Sequence, residues 1–279
     1  MMHIAFCADG NFLKPLEIAL FSVLTSSRQP SDLHFHILQL ENFSEKNIQA
    51  LANQFGATLS FYSLETELYA KGRFSPAMYG RLYLPLLLDE NIHKVIYLDC
   101  DVVVANDISE LWLTDICSYD IAAVPEIKSP IKDYLLKKFC LEDYFNSGVL
   151  LINLDSVRQN NSFHCVIQYI ETNTDLLYPD QDALNSVLSQ RWLALPDKWN
   201  QMSLTSYEHP MIVHYALSKP WKDNRNKNGY LYHALLSKYP FKLPYFPQEN
   251  SNKSILNIKE TKLYSILSFY FWKIKALLV

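Results

Sequence analysis

In "KVIYLDCDVVV", Lys94 to Val104, two carboxylates interrupt an otherwise apolar stretch. Val95 to Leu98 form the continuous apolar run of a strand buried on both faces, and Val102 to Val104 would suit a strand too. Residues two apart in extended chain project to the same side, so Asp99 and Asp101 are expected together at a strand end. Adjacent carboxylates repel unless a cation is shared, and oxygen-rich sites suit Mn2+ or Mg2+. An ion held by few protein groups completes its octahedron with substrate phosphates, which makes a diphosphate-bearing substrate the natural partner. The plainer alternatives are a helix cap and a carboxylate paired with a buried Arg.

Other stretches carry polar groups in apolar surroundings. His214 ends the run "MIV", which puts it at a second strand end as a candidate third ligand. Lys219, five residues on in "HYALSKPW", is a suitable point charge for a phosphoryl group. In "YFNSGVLLINL", Asn146 and Ser147 stand before an expected strand, with Gly148 permitting close backbone approach. They read equally as a polar turn or as substrate contacts. In "YPDQDALN", Pro179, Asp180 and Asp182 suit the first turn of a helix, which gives no reason for Gln181. "ADGN", Ala8 to Asn11, reads as a turn, and the lack of G-x-G-x-x-G there argues against a Rossmann dinucleotide site.

These residues need a scaffold, and 279 residues with 49% hydrophobic content suffice for one large α/β domain. A net charge of −4 gives no support to nucleic-acid binding. Cys7, Cys100, Cys117, Cys140 and Cys165 lack C-x-x-C spacing and are read as free thiols in a reducing cytosol. The N-terminus has no basic segment followed by a long apolar core, so no export signal is expected, and no apolar stretch is long enough to span a bilayer.

Strands and helices alternate through the first two-thirds. "HIAFCA", "LHFHILQL", "TLSFY", "DIAAV" and "GVLLINL" read as strands. Helices are expected from Pro15, from a Ser44 cap to Gly56, from Ser75-Pro76 to Leu84, over "ISELW" behind Asp107, and from Asp155 to about Thr172. The alternation predicts an α/β fold with a mostly parallel central sheet, whose ligands bind beyond the carboxyl ends of strands. The one boundary falls near residue 240. It separates a domain over 1–240 from an extension over 241–279.

Taken together, the sequence resembles the family-8 retaining glycosyltransferases, especially the bacterial lipopolysaccharide galactosyltransferases and glucosyltransferases. "FCADGNF", "MYGRLYLP", "VIYLDCDVVV", "YFNSGVLLINL", "YPDQDALN" and "HYALSKPW" occur in family order between His3 and Trp221. The resemblance implies a GT-A-type nucleotide-sugar-binding domain and transfer from a UDP-hexose with retention. By position it would set Ala8, Asp9, Asn11 and Phe12 on the uridine, with Arg81 supporting the donor site. Asp99, Asp101 and His214 would hold Mn2+ (or Mg2+), with Cys100 along the nucleotide. Asn146, Ser147, Asp180 and Gln181 would surround the sugar, and Lys219 would reach the diphosphate. One departure stands out: the family's last motif has Gly three residues after the His and Lys six after it. Here Leu217 replaces the Gly and Lys219 comes one residue early.

Under this reading Gln181 lies beneath the anomeric carbon, and front-face attack is preferred over a covalent intermediate on the neighbouring carboxylate Asp182. Glu126 is a candidate for facing the acceptor. Galactose and glucose are both open as donor sugars. The competing functions are a metal-dependent nucleotide-diphosphate hydrolase and a silent sugar-nucleotide or glycan binder. Lys253 to Val279 carries five Lys and one Glu, leaving −8 on residues 1–252. Within it Lys259 to Val279 is expected to form an interfacial helix on an anionic membrane, the alternative being a helix docked on the domain; this would place the protein peripherally on the cytoplasmic face of the membrane with a saccharide or lipid-linked saccharide acceptor.

Overall fold

The computed structural model of the chain describes residues 1–64, 66, 68 and 75–242, so the expected C-terminal helix lies outside the described residues. β1 (Met2–Ala8) leads into α1 (Leu13–Ser26), β2 (Leu33–Gln39), α2 (Lys46–Phe55) and β3 (Thr58–Ser63). Next come α3 (Gly80–Leu87), β4 (Lys94–Leu98), β5 (Val102–Val104), α4 (Ser109–Trp112), β6 (Ile121–Pro125) and α5 (Pro130–Phe139). β7 (Phe145–Asn153), α6 (Leu154–Asn160), α7 (Ser162–Thr172), α8 (Pro179–Val187), β8 (Trp192–Ala194), β9 (Ile212–His214) and α9 (Gly229–Lys238) follow.

Seven strands form one sheet in the order β3-β2-β1-β4-β7-β6-β8, and β5 pairs with β9 in a separate ribbon. All neighbours in the large sheet are parallel except β7, which is antiparallel to both β4 and β6. The sheet is therefore mostly parallel, as expected. β4 shows why its sequence is apolar throughout. Ile96 and Leu98 join a core shared with Leu16, Leu20 and Leu24 of α1, while Val95 and Tyr97 join one shared with Leu82 and Leu84 of α3.

Chain order builds a crevice. From β1 the chain moves outward through β2 and β3, then returns to place β4 on β1's other side. That reversal between β1 and β4 is a topological switch point, where ligands bind beyond the carboxyl ends of the strands. Because β7 runs the opposite way, its amino-terminal end reaches the same edge: Leu98 pairs with Val149, and Asp99 N–H donates to the Gly148 carbonyl at 2.8 Å.

Several expected boundaries change. Asp99 and Asp101 sit in a turn rather than an extended strand. The chain is leaving one sheet for another there, since Leu98 pairs with Val149 while Val102 pairs with His214. Asn146, Ser147 and Gly148 are strand residues of β7, not a turn preceding it. α3 continues past Pro85 to Leu87, and Arg158 supplies the reason. Its guanidinium donates to the carbonyls of Pro85 (3.0 Å), Leu88 (2.8 Å) and Ile92 (3.0 Å), satisfying groups that the helix end leaves open. The helix expected from Asp155 to Thr172 is two, broken at Asn161 with φ 54°, and its cap is Asn153, which accepts from Ser156 N–H. α2 starts behind Glu45 without a side-chain cap, so Ser44 does not cap it, although Gly56 closes it at φ 72° as expected.

α3 meets β1 closely at Gly80, where a Cβ would lie 2.6 Å from the Cys7 Cβ. Cys7 sits on a central strand and cannot yield. Gly80→Ala should therefore lower stability by about 1–3 kcal/mol, the usual cost of overpacking. Urea unfolding would show it as a lower midpoint with an unchanged slope.

Candidate active site and metal centre

The carboxyl edge at the switch point gathers most of the residues singled out in the sequence. Among the described residues, Asp99, Asp101 and His214 are the three-residue group of His, Cys or acidic side chains whose donor atoms cluster, all within 4.8 Å of one another. The ribbon makes this possible: Val102 pairs directly with His214, and Tyr215 N–H donates to the Asp101 carbonyl at 2.9 Å. His214 Nε2 lies 3.3 Å from Asp101 Oδ1 and 3.8 Å from Asp99 Oδ2.

Each carboxylate has one oxygen committed elsewhere. Asp99 Oδ1 accepts from Arg81 Nη2 at 2.8 Å and from Tyr97 OH at 3.0 Å, which leaves Oδ2 facing His214. Asp101 Oδ2 pairs with the Lys219 ammonium while Oδ1 faces His214. Burial alone would raise the Asp101 carboxyl, but the Lys219 ammonium and His214 outweigh it and hold the group well below the usual carboxylate range. The shortened turn thus still delivers Lys219 to the site, and the residue in the glycine position, Leu217, is exposed.

Arg81 ties three elements together from a buried position. Besides Asp99 it approaches Asp180 Oδ2 at 3.4 Å, donates to the carbonyls of Met78 and Ser147, and lies over the Tyr97 ring at 4.4 Å. Burial would favour losing its proton, yet Asp99, Tyr97 and Asp180 together raise its pKa further. Asp180, conversely, is pushed up by burial despite Arg81.

The sugar-side candidates meet at the start of β7 and α8. Gln181 Oε1 accepts from Ser147 N–H at 3.0 Å, and Ser147 Oγ donates to Asp180 Oδ2 at 3.1 Å. Glu126 joins them, its Oε2 accepting from Asn146 Nδ2 at 3.1 Å and Gln181 Nε2 at 3.4 Å. Asp182 does not open onto this group. It is fully buried, and its carboxylate accepts from the Tyr144 hydroxyl at 2.5 Å and from the backbone N–H of Leu177 and Tyr178 at 2.6 and 3.0 Å.

At the end of β1, Ala8 is buried and Asp9 Oδ1 accepts from the N–H groups of Asn11 (2.9 Å) and Phe12 (3.1 Å), fixing a short turn that leaves those two side chains exposed. Cys100 is turned away, its thiol donating to the Cys7 carbonyl at 3.2 Å among core residues. The cysteines described are all free. Asn200, Tyr97 and Tyr144 went unread in the sequence. Tyr97 alone carried a signal, a polar tip inside the apolar stretch "VIYL"; Asn200 in "DKWNQ" and Tyr144 in "LEDYFN" stand among polar neighbours.

The donor set fits a divalent cation, with two free carboxylate oxygens and one imidazole nitrogen converging. Gly148 keeps the space open, because a Cβ there would lie 2.8 Å from Asp99 Oδ2 and 2.9 Å from His214 Nδ1.

A GT-A-type fold with this edge defines a class of proteins, and similarity to known proteins fixes the family. The chain belongs to glycosyltransferase family 8, whose model ("Glycosyl transferase family 8") matches residues 3–225. General stress protein A of Bacillus subtilis (strain 168) is 30% identical over 278 residues, spanning 88% of this chain and 92% of its own length. The lipopolysaccharide 1,2-glucosyltransferase of Escherichia coli (strain K12) is 26% identical over 248 residues, spanning 79% and 72%. The galactosyltransferase LgtC, solved with donor and acceptor sugar analogues, superposes with a TM-score of 0.75 at 26% identity, covering 87% of this chain and 98% of LgtC. No described helix is long and apolar enough to cross a membrane.

If the cluster holds a divalent cation such as Mn2+, Gly148→Ala should weaken its binding by at least about tenfold, since the new methyl group would push against the Asp99 and His214 side chains. Calorimetric titration of Mn2+ into the variant and wild type, with folding checked by circular dichroism, measures this directly.

Proposed function

We propose that the protein transfers a hexose, galactose or glucose, from its UDP conjugate to a saccharide acceptor, with retention at the anomeric carbon. The observation that supports this most is the convergence of Asp99, Asp101 and His214 beside Lys219 at the switch-point edge. Two neighbouring carboxylates with a lysine in reach suit a cation and a diphosphate together. Of the relatives named, one is a lipopolysaccharide glucosyltransferase and another a galactosyltransferase solved with donor and acceptor sugar analogues, which favours a lipopolysaccharide-type core as acceptor. The basic stretch Lys253 to Val279 favours a lipid-linked acceptor at an anionic membrane surface.

When bound, Mn2+ supplies Lewis-acid neutralisation of the charge on the departing UDP. Asp99, Asp101 and His214 would hold it, with Mg2+ an alternative. Ala8, Asp9, Asn11 and Phe12 receive the uridine, and the ribose and phosphates run past the backbone at Cys100. Lys219 then exchanges Asp101 for a phosphoryl oxygen. Arg81 holds Asp99 and Asp180 in place from beneath.

Asn146, Ser147, Asp180 and Gln181 surround the hexose. Gln181 is held through both ends of its amide, so it acts as a fixed dipole near the anomeric carbon rather than as a mobile nucleophile. Asp182 is a positioning residue, because both its oxygens hold the chain ahead of α8 and Tyr144. The reaction proceeds on the front face. The acceptor oxygen bonds to the anomeric carbon as its bond to the phosphate oxygen breaks, and the hydroxyl proton passes to the leaving phosphate. Glu126, beside Gln181, orients the acceptor.

UDP release from UDP-galactose and UDP-glucose, with Mn2+ or EDTA and with or without lipopolysaccharide-core acceptors, tests this reading. Metal-dependent release from one donor, stimulated by an acceptor, is expected. Gln181→Ala should lower kcat by about 10²-fold without abolishing it, the scale of losing one preorganised dipole. Release that ignores the acceptor would mean hydrolysis, and a trapped sugar adduct on Asp182 would overturn the front-face step.

A further inference from the structure

His214 has two ring nitrogens, and only one faces Asp99 and Asp101. The other, Nδ1, lies 3.0 Å from the Oδ1 of Asn200, a residue 1% exposed. Asn200 stands at the end of a short turn over Asp197–Trp199 and is carried alongside β9, where Gln201 N–H donates to the Ile212 carbonyl and His214 N–H donates back to Gln201. Its amide also reaches the other way, Nδ2 donating to Asn146 Oδ1 at 2.9 Å.

The direction of this chain of amides is fixed at its far end. The backbone N–H of Gly148 can only donate, and it meets Asn146 Oδ1 at 2.9 Å. The carboxylate of Glu126 accepts at the opposite side of the same amide, from Asn146 Nδ2 at 3.1 Å. Both contacts demand the same orientation of Asn146, with its oxygen toward Gly148 and Asn200. Asn200 must then present its nitrogen to Asn146 and its oxygen to His214. An amide oxygen only accepts, so His214 carries a proton on Nδ1, and in the neutral ring the lone pair sits on Nε2. Nε2 is the nitrogen 3.3 Å from Asp101 Oδ1.

We infer that Asn200 is a positioning residue of the metal centre: through Asn146 and the Gly148 backbone it locks His214 in the Nδ1–H tautomer and aims Nε2 at the cation. This deepens the proposed function and rests on its metal site. Asn200 is no ligand itself, since its oxygen is spent on the imidazole. Metal-ligating histidines commonly take their orientation from such a partner, and losing it weakens metal binding about 10- to 100-fold. The same relay runs on from Asn146 through Glu126 to Gln181, so the metal ligand and the sugar-side glutamine share one set of hydrogen bonds.

The test is Mn2+ affinity, read by electron paramagnetic resonance of free Mn2+ in the presence of UDP, for wild type, Asn200→Leu, Asn200→Asp and Asp101→Asn. Asn200→Leu should bind Mn2+ about 10- to 100-fold more weakly. Asn200→Asp keeps an acceptor for Nδ1–H but sets a second acceptor against Asn146 Oδ1, and should recover part of that loss, which a merely structural asparagine would not predict. Nitrogen-15 imidazole spectra of wild type loaded with Mg2+ and UDP, a diamagnetic form, should show the His214 proton on Nδ1 and none on Nε2, a readout that stands if the leucine variant fails to fold. Wild-type affinity in Asn200→Leu, or an Nε2–H ring in wild type, overturns this inference alone. Wild type that binds no Mn2+, or Asp101→Asn that binds it normally, overturns the metal reading and this inference together.

Discussion

Negative charge packed into a nearly dry edge is the constraint on which the rest of this structure depends. Asp99, Asp101 and Asp180 crowd one end of the sheet, and Asp101 and Asp180 are almost wholly buried. Carboxylates so placed are costly unless cations answer them. Arg81 answers Asp99 and Asp180 permanently, because it is itself buried and held by the Met78 and Ser147 carbonyls. Lys219 answers Asp101 from a partly open position on a turn. The two cations therefore differ in kind: one is fully enclosed, and the other is partly open, the position that the proposed function uses for a phosphate. What remains, one oxygen on each of Asp99 and Asp101 and one nitrogen on His214, is a set of electron pairs that a divalent cation satisfies.

Topology decides that these groups meet. A purely parallel sheet would bring only the carboxyl ends of its strands to the edge. The antiparallel β7 adds its beginning, so Asn146, Ser147 and Gly148 arrive there as strand residues with fixed spacing. The β5–β9 ribbon adds His214 opposite Val102. Gly148 sits where the two systems touch, and its missing side chain is the room that the cluster encloses. Asn200, carried beside β9, then joins the histidine to β7 by hydrogen bonds rather than by packing.

Local pattern made part of this visible in the sequence. The runs in β1, β2, β4 and β7 are apolar because both faces are covered, and the alternation with helices led to a mostly parallel sheet. Asp99, Asp101 and His214 stood out as polar groups ending apolar runs. Features set by distant partners were not legible. Nothing near Pro85 says that Arg158 will satisfy the carbonyls that let α3 continue. The break at Asn161 did carry a local signal, because Asn tolerates the left-handed conformation it adopts there. The pairing that puts Asp99 and Asp101 in a turn between two sheets depends on β9, more than a hundred residues later. Asn200 looked like any asparagine after a tryptophan. Asp182 attracted attention as a carboxylate beside Gln181, whereas its three hydrogen bonds make it a brace for the chain before α8.

The central claim is that a divalent cation and a diphosphate complete this edge. Crystals grown with Mn2+ and UDP, measured at the manganese absorption edge, test it most directly. One strong anomalous peak is expected among Asp99, Asp101 and His214, with Lys219 released from Asp101 onto a phosphate oxygen. UDP bound in the crevice without a peak there, or manganese held by other residues, would contradict it.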